Sequence, residues 1–243
     1  MEVNIEHMPV SLEHDGLKDA VVSVNYVSDY NVRYISQNIL AAINSNNDNP
    51  FVEIPTKDKS AANESLSYKD SNDKILMANP IYRILVSEDR VTFNFTKKYP
   101  GWNSYSNLIN IVLNSIGQVN LRGVYLQYIS CFENTDIFKE LDGTIKLNQL
   151  PNFNGSVFNF SCNCNKKDEP IAEATIKLTN NKQIQNSSVS IIEVAIAGKI
   201  GDYHLEECLQ LLSECHKFEK HLFFLLLSEK FINTLNPHYE WYM

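Results

Sequence analysis

The residues with the readiest chemistry are five cysteines (Cys131, Cys162, Cys164, Cys208, Cys215) and the histidines of the last forty positions. Zinc needs a tetrahedral set of soft ligands, normally assembled from two close-spaced pairs. Cys162-x-Cys164 puts two thiols on one face of an extended segment, and Cys208, Cys215 and His216 follow on a helical stretch. No second pair completes the set. Cys208 and Cys215 lie among leucines, where cysteine behaves as a small buried hydrophobe. HLEEC at His204 lacks the second histidine of HExxH, and Glu206 and Glu207 there suit the positive end of a helix. His216 and His221 are separated by roughly 500° of helical rotation and share no face. Cys215 adjoins His216, yet neighbouring helical side chains diverge by about 100°, so adjacency makes no nucleophile–base pair. No Gly-rich phosphate loop or GxSxG turn occurs among eight glycines. The expectation is a chain with no catalytic residue, no metal and no cofactor.

Two sets of residues remain as binding candidates. Arg122 opens an Arg-Gly-x-x-x-x-Tyr segment in which Gly123 would let another backbone approach closely. With Tyr125 and Tyr128 it could line a pocket for an anion or a peptide carboxylate. The competing reading, which we favour, is a structural ion pair, with Glu193 as the suggested partner. The second set is Leu222, Leu225, Leu226 and Phe231. The FFLLL run makes its helix apolar nearly all round, as burial or a partner surface requires.

The elements that must position these residues are legible from periodicity. Ala20 to Val27 alternate as a first strand. Asp29 or Asn31 then caps a helix with Val32, Ile35, Ile39 and Ile43 on one face. Residues 44–79 are polar, and we read them as a long insertion that no core strand fits. YRILVS and VTFNFT form a hairpin turning near Glu88-Asp89. After Pro100-Gly101, the residues Trp102, Tyr105, Leu108, Ile109, Val112 and Ile116 repeat at helical spacing, and Gly117 closes the helix. VNLRGVYLQYISCF is apolar in both alternating sets, the mark of a central strand covered on both faces. SVFNFSCNC, IAEATIKLT and VSIIEVAIAG then read as an antiparallel meander separated by polar turns. A long helix follows from about His204 toward Leu235, where Asn236-Pro237 stops it. The fold class expected is α+β: antiparallel sheets each packed by a helix, two similar halves of strands then helix, and a long C-terminal helix. The division expected is 1–150 and 151–243, packed as one unit.

At 243 residues, 44% of them hydrophobic, the chain can bury a large core. Its formal net charge of -8 opposes nonspecific nucleic-acid binding, which needs clustered cations. No apolar run approaches a membrane span. A start without a basic, apolar leader and an odd number of cysteines point to a cytoplasmic setting.

YPGWNSYSNLINIVLNSIG resembles the Tyr-Pro-x-Trp-x-x-Phe helix opening of a sporadically distributed, uncharacterised prokaryotic family of similar length. RGVYLQYISCF is similar to that family's Arg-Ile-Gly-Leu-Arg-Tyr-Ile-Asn strand, with Gln127 and Ser130 standing where the family has its second arginine and its asparagine. The order of elements agrees over most of the chain. The family's patchy distribution implies carriage on mobile elements, including defence or toxin–antitoxin loci. The function expected is that of a non-enzymatic binding or regulatory protein, with a protein partner or a second copy as its target. The alternative is a small-ligand sensor or enzyme with a pocket between sheet and helix.

Overall fold

The computed structural model describes residues 9, 11–45, 49–55, 74–142, 157–164, 170–184 and 187–239. Its elements run β1 (Ser11–Leu12), β2 (Leu17–Val27), α1 (Val32–Asn44), β3 (Val52–Ile54), β4 (Ile75–Ala78), β5 (Tyr82–Val86), β6 (Arg90–Phe95), α2 (Trp102–Ser115), β7 (Asn120–Glu133), β8 (Val157–Asn163), β9 (Ile171–Ile184), β10 (Ser187–Gly198), α3 (Leu205–Leu226), α4 (Glu229–Thr234) and β11 (Pro237–His238). The fold is α+β, with antiparallel pairing and a long C-terminal helix. Two units interleave along the chain. The first comprises Asp19–Leu126 and Ala197–Ser213; the second comprises Met1–Lys18, Gln127–Ile196 and Glu214–Met243.

In the first unit the strand order is β3-β4-β5-β6-β2-β7. The β5–β6 hairpin forms because two β-rich runs flank Ser87 to Asp89, and Tyr82 pairs with Phe95 and Val86 with Val91. Strand β6 then pairs with β2, Val22 against Phe93. One face of these strands (Ala20, Val22, Val24, Ile84, Phe93) is fully apolar and buried. Helix α2 lies on it: Tyr105, wholly buried, donates its hydroxyl to the Ala20 carbonyl at 3.0 Å. Helix α1 is capped by Asn31, whose side chain accepts from the Tyr34 N–H at 2.8 Å, and it buries Val32, Ile35, Ile39 and Ile43 as the spacing predicts.

The polar stretch 44–79, read from sequence as containing no core strand, does contain two. Strands β3 and β4 pair with each other, and β4 pairs with β5. Phe51, Met77 and Ala78 are buried there, so three apolar residues suffice at a sheet's end where one neighbouring strand supplies the ladder. Residues 56–73 of that stretch lie outside the described ones.

In the second unit the order is β7-β10-β9-β8. Strand β9 runs to Ile184, through a segment whose Asn-Asn-Lys composition reads as a turn. A polar network holds it extended: Asn180 donates to Asp136 at 2.8 Å, accepts from the Ile137 N–H at 2.9 Å, and accepts from Ser190 at 2.9 Å. The C-terminal helix is also shorter than its apolar pattern. Helix α3 ends at Leu226, Leu227 bridges to Leu141, and Ser228 restarts the chain as the N-cap of α4 by accepting from Phe231 N–H at 3.3 Å. Backbone bonds from Asp142 to Leu226 and from Ser228 to Glu140 fix the break. Phe231 stacks edge-on to Phe132 of β7 at 5.3 Å between centroids, which fastens α4 to the sheet.

Candidate functional site

From Val124 onward β7 alternates regularly, with even-numbered residues buried and odd ones exposed or half-buried. Tyr125 and Tyr128 therefore fall on opposite faces: Tyr125 is 38% exposed and Tyr128 is 6% exposed. Arg122 sits ahead of this regular stretch. Its guanidinium bonds Asp202 at 2.9 Å, and the backbone N–H of Gly201 donates to its carbonyl at 2.9 Å. The ion pair at Arg122 is thus made with the loop after β10. Glu193, the partner suggested by sequence, instead accepts from Lys177 at 2.7 Å and from Gln127 at 3.2 Å. Strand alternation explains this, because Gln127 and Glu193 are odd residues on the half-buried face of β7 and β10.

Tyr128 reaches the second unit's part of α3. Its hydroxyl lies 3.3 Å from His216 Nδ1, with the rings 5.7 Å apart. Burial is the main force on this histidine, and with the nearby Lys220 it depresses the imidazole pKa from 6.5 to about 4. One turn on lies Glu219, a carboxyl only 5% exposed. Burial pushes its pKa up to about 8, against a smaller downward pull from Lys220. At neutral pH both groups are held predominantly uncharged. Sequence reasoning missed Glu219, although a signal existed: Cys208, Leu212, Cys215, Glu219, Leu222 and Leu226 are spaced 4, 3, 4, 3 and 4, so the glutamate occupies a position on the apolar stripe.

The apolar candidates on α3 and α4 separate. Phe231 is turned inward against Phe132, Leu222 and Leu226 are half-buried, and Leu225 is 38% exposed.

A second polar cluster, in the first unit, involves none of the residues singled out from sequence. Asn94 of β6 stands directly opposite Arg83 of β5. Ser23 of β2 stands opposite Thr92, and their hydroxyls bond at 2.9 Å, so odd residues of β2 and even residues of β6 share this face. Asp19, four residues before Ser23, projects on the same side. Burial raises the Asp19 pKa, while the Asn94 amide, the Ala20 N–H and the Arg83 guanidinium pull it partly back. Asp19 Oδ1 and Asn94 Oδ1 are both sealed from solvent, and neither receives a hydrogen-bond donor.

Comparison of the chain with protein-family models, curated proteins and solved structures returns no match. Among the described residues no group of three or more His, Cys, Asp or Glu is placed to hold a metal ion. No helix among them is long and apolar enough to cross a membrane.

Proposed function

We propose that the protein is a non-enzymatic binding or regulatory protein. The observation that supports this most is the chemical state of Cys131, Cys208 and His216. A catalytic cysteine needs a depressed pKa and a catalytic histidine needs one near neutrality. Burial instead pushes Cys208 up to about 12 and raises Cys131, and it holds His216 near 4. These shifts suit a packed scaffold and oppose proton transfer or thiolate attack. We read the chain as two halves built on one plan, strands followed by a helix. A cytoplasmic setting accords with the free thiols of Cys131, Cys162 and Cys208. An accessory role in a prokaryotic mobile-element, defence or toxin–antitoxin system rests on the sequence resemblance alone.

The binding target proposed is a second copy of the chain, docking on α3 around exposed Leu225 and half-buried Leu222 and Leu226. Multi-angle light scattering of the wild type and of Leu225→Glu tests this directly. A wild-type dimer that becomes monomeric in the variant is expected. Two monomers of equal solubility would remove the helix from consideration as a docking face.

The alternative, a small-ligand sensor, gains support from a different place than the Arg122, Tyr125 and Tyr128 strand. Two buried acceptors without donors, Asp19 Oδ1 and Asn94 Oδ1, are costly unless something supplies the missing hydrogen bonds. A metabolite thermal-shift screen tests it, since a ligand of the native state raises the melting temperature.

A further inference from the structure

We propose that the face shared by Asp19, Asn94 and Arg83 binds a small zwitterion that carries an N–H-donating ammonium group and a carboxylate, the chemistry of a free amino acid. This inference rests on the small-ligand sensor reading and names its ligand class.

Strand register brings the three side chains to one face. Arg83 and Asn94 are cross-strand partners, which places their side chains side by side on one face. Asp19 joins them because its strand presents odd-numbered residues there, as the bonded Ser23–Thr92 pair shows. Three neighbouring strands thus converge a carboxylate, a carboxamide and a guanidinium. Ser23 and Thr92 share one hydroxyl–hydroxyl hydrogen bond and add uncharged groups to the same face.

Hydrogen-bonding inventory decides what would fit. Asn94 is 8% exposed, and its Oδ1, like Asp19 Oδ1, is an acceptor with no donor. An ammonium group offers three donors and could serve both oxygens at once. Arg83 makes no salt bridge with any described residue, and its planar fork matches a carboxylate. Each simpler charged ligand conflicts with one of the three residues. A plain cation would leave Arg83 facing another positive charge. A plain anion would set its charge against Asp19. A metal ion would find only one carboxylate and one amide oxygen, well short of a ligand set for a hard cation. A zwitterion satisfies the acceptors and the guanidinium together while keeping the site neutral.

The test uses the full chain and three families of probe: free amino acids, the amines obtained by removing their carboxylate, and the acids obtained by removing their amine. Calorimetric titration is run on the wild type, Asp19→Asn and Arg83→Gln, with circular dichroism confirming that each variant is folded. At least one amino acid is expected to bind, with its matching amine and acid at least about tenfold weaker, and each substitution is expected to weaken binding by at least about tenfold. Equal binding of the amine and the amino acid, unaffected by Arg83→Gln, would overturn the ligand class while leaving the sensor reading in place. Amino-acid binding that survives both substitutions would place the ligand elsewhere and overturn the site. If no amino acid binds, the proposal fails; if nucleotides and sugars also leave the melting temperature unchanged, the sensor reading fails with it.

Discussion

Replacing Glu219 by glutamine should change how stability depends on pH, and the structure fixes both the direction and the scale. In the folded chain burial moves this carboxyl from its ordinary 4.5 to about 8. An acid whose pKa is higher folded than unfolded keeps its proton after the unfolded chain has released it. Its contribution to stability is therefore complete below pH 4.5 and is lost as pH rises toward about 8. The loss is about 1.4 kcal/mol per pH unit, and on the order of 5 kcal/mol over the whole interval. His216 acts in the opposite sense, because its folded pKa is lowered from 6.5 to about 4 and stability falls as pH drops through that range. Between pH 4.5 and 6.5 the two slopes nearly cancel. Above 6.5 Glu219 acts without that opposition, and its share of wild-type stability falls by roughly 2 kcal/mol by pH 8. Glutamine keeps the shape of the protonated acid and cannot ionise. The stability of Glu219→Gln relative to wild type should therefore grow by roughly 2 kcal/mol between pH 6.5 and 8. With a urea m-value of about 3 kcal/mol per molar, the midpoints should separate by about 0.7 M over that step. Urea unfolding followed by circular dichroism at pH 5, 6.5 and 8 measures this. Parallel stability curves for the two proteins would show that the Glu219 carboxyl ionises in the folded chain as it does in the unfolded one.

Two further outcomes follow from packing and thiol chemistry. Gly16 has a φ of +66°, and a Cβ there would lie 2.7 Å from the Cys131 carbonyl oxygen and 2.9 Å from the Phe132 ring. Gly16→Ala should cost about 2–3 kcal/mol, combining the left-handed backbone penalty with a clash against backbone that cannot move aside; a loss below about 1 kcal/mol in urea unfolding would contradict that geometry. Cys162 is exposed, whereas Cys208 is fully buried with its thiol pushed up to about 12. Iodoacetamide at pH 8 should label Cys162 first, with Cys208 protected by burial and by its raised thiol pKa; mass-spectrometric labelling of both at similar rates would refute the buried placement.

Periodicity made much of the scaffold readable. The α1 stripe, the Asn31 cap, the β5–β6 hairpin and the α2 face all depend on residues close in sequence, whose side chains report their own burial. The central position of β7 was readable from the apolar residues in both of its alternating sets. The expected cover on both faces was not met: from Val124 onward only the even-numbered set is buried. The strands β3 and β4 were hidden by their polar surroundings, being too short to carry a pattern of their own. The extension of β9 was hidden because Asn180, a turn-forming residue by composition, spends its amide on Asp136, Ile137 and Ser190 instead. The break between α3 and α4 was hidden because Ser228 looks like any polar residue until Glu140 and Asp142 are brought to it.

The sequence by itself determined the class of the fold, the apolar faces of its helices and the positions of its longer strands along the chain, because these follow from local spacing. Only the tertiary structure decided which charges meet. It gave Arg122 to Asp202 and Glu193 to Lys177, placed Tyr128 on His216, and enclosed Glu219. It also set Asp19 beside Asn94 and Arg83, each more than sixty positions further along the chain. The physical reason is that burial and strand register are properties of pairs of segments, and no single segment records what will lie against it.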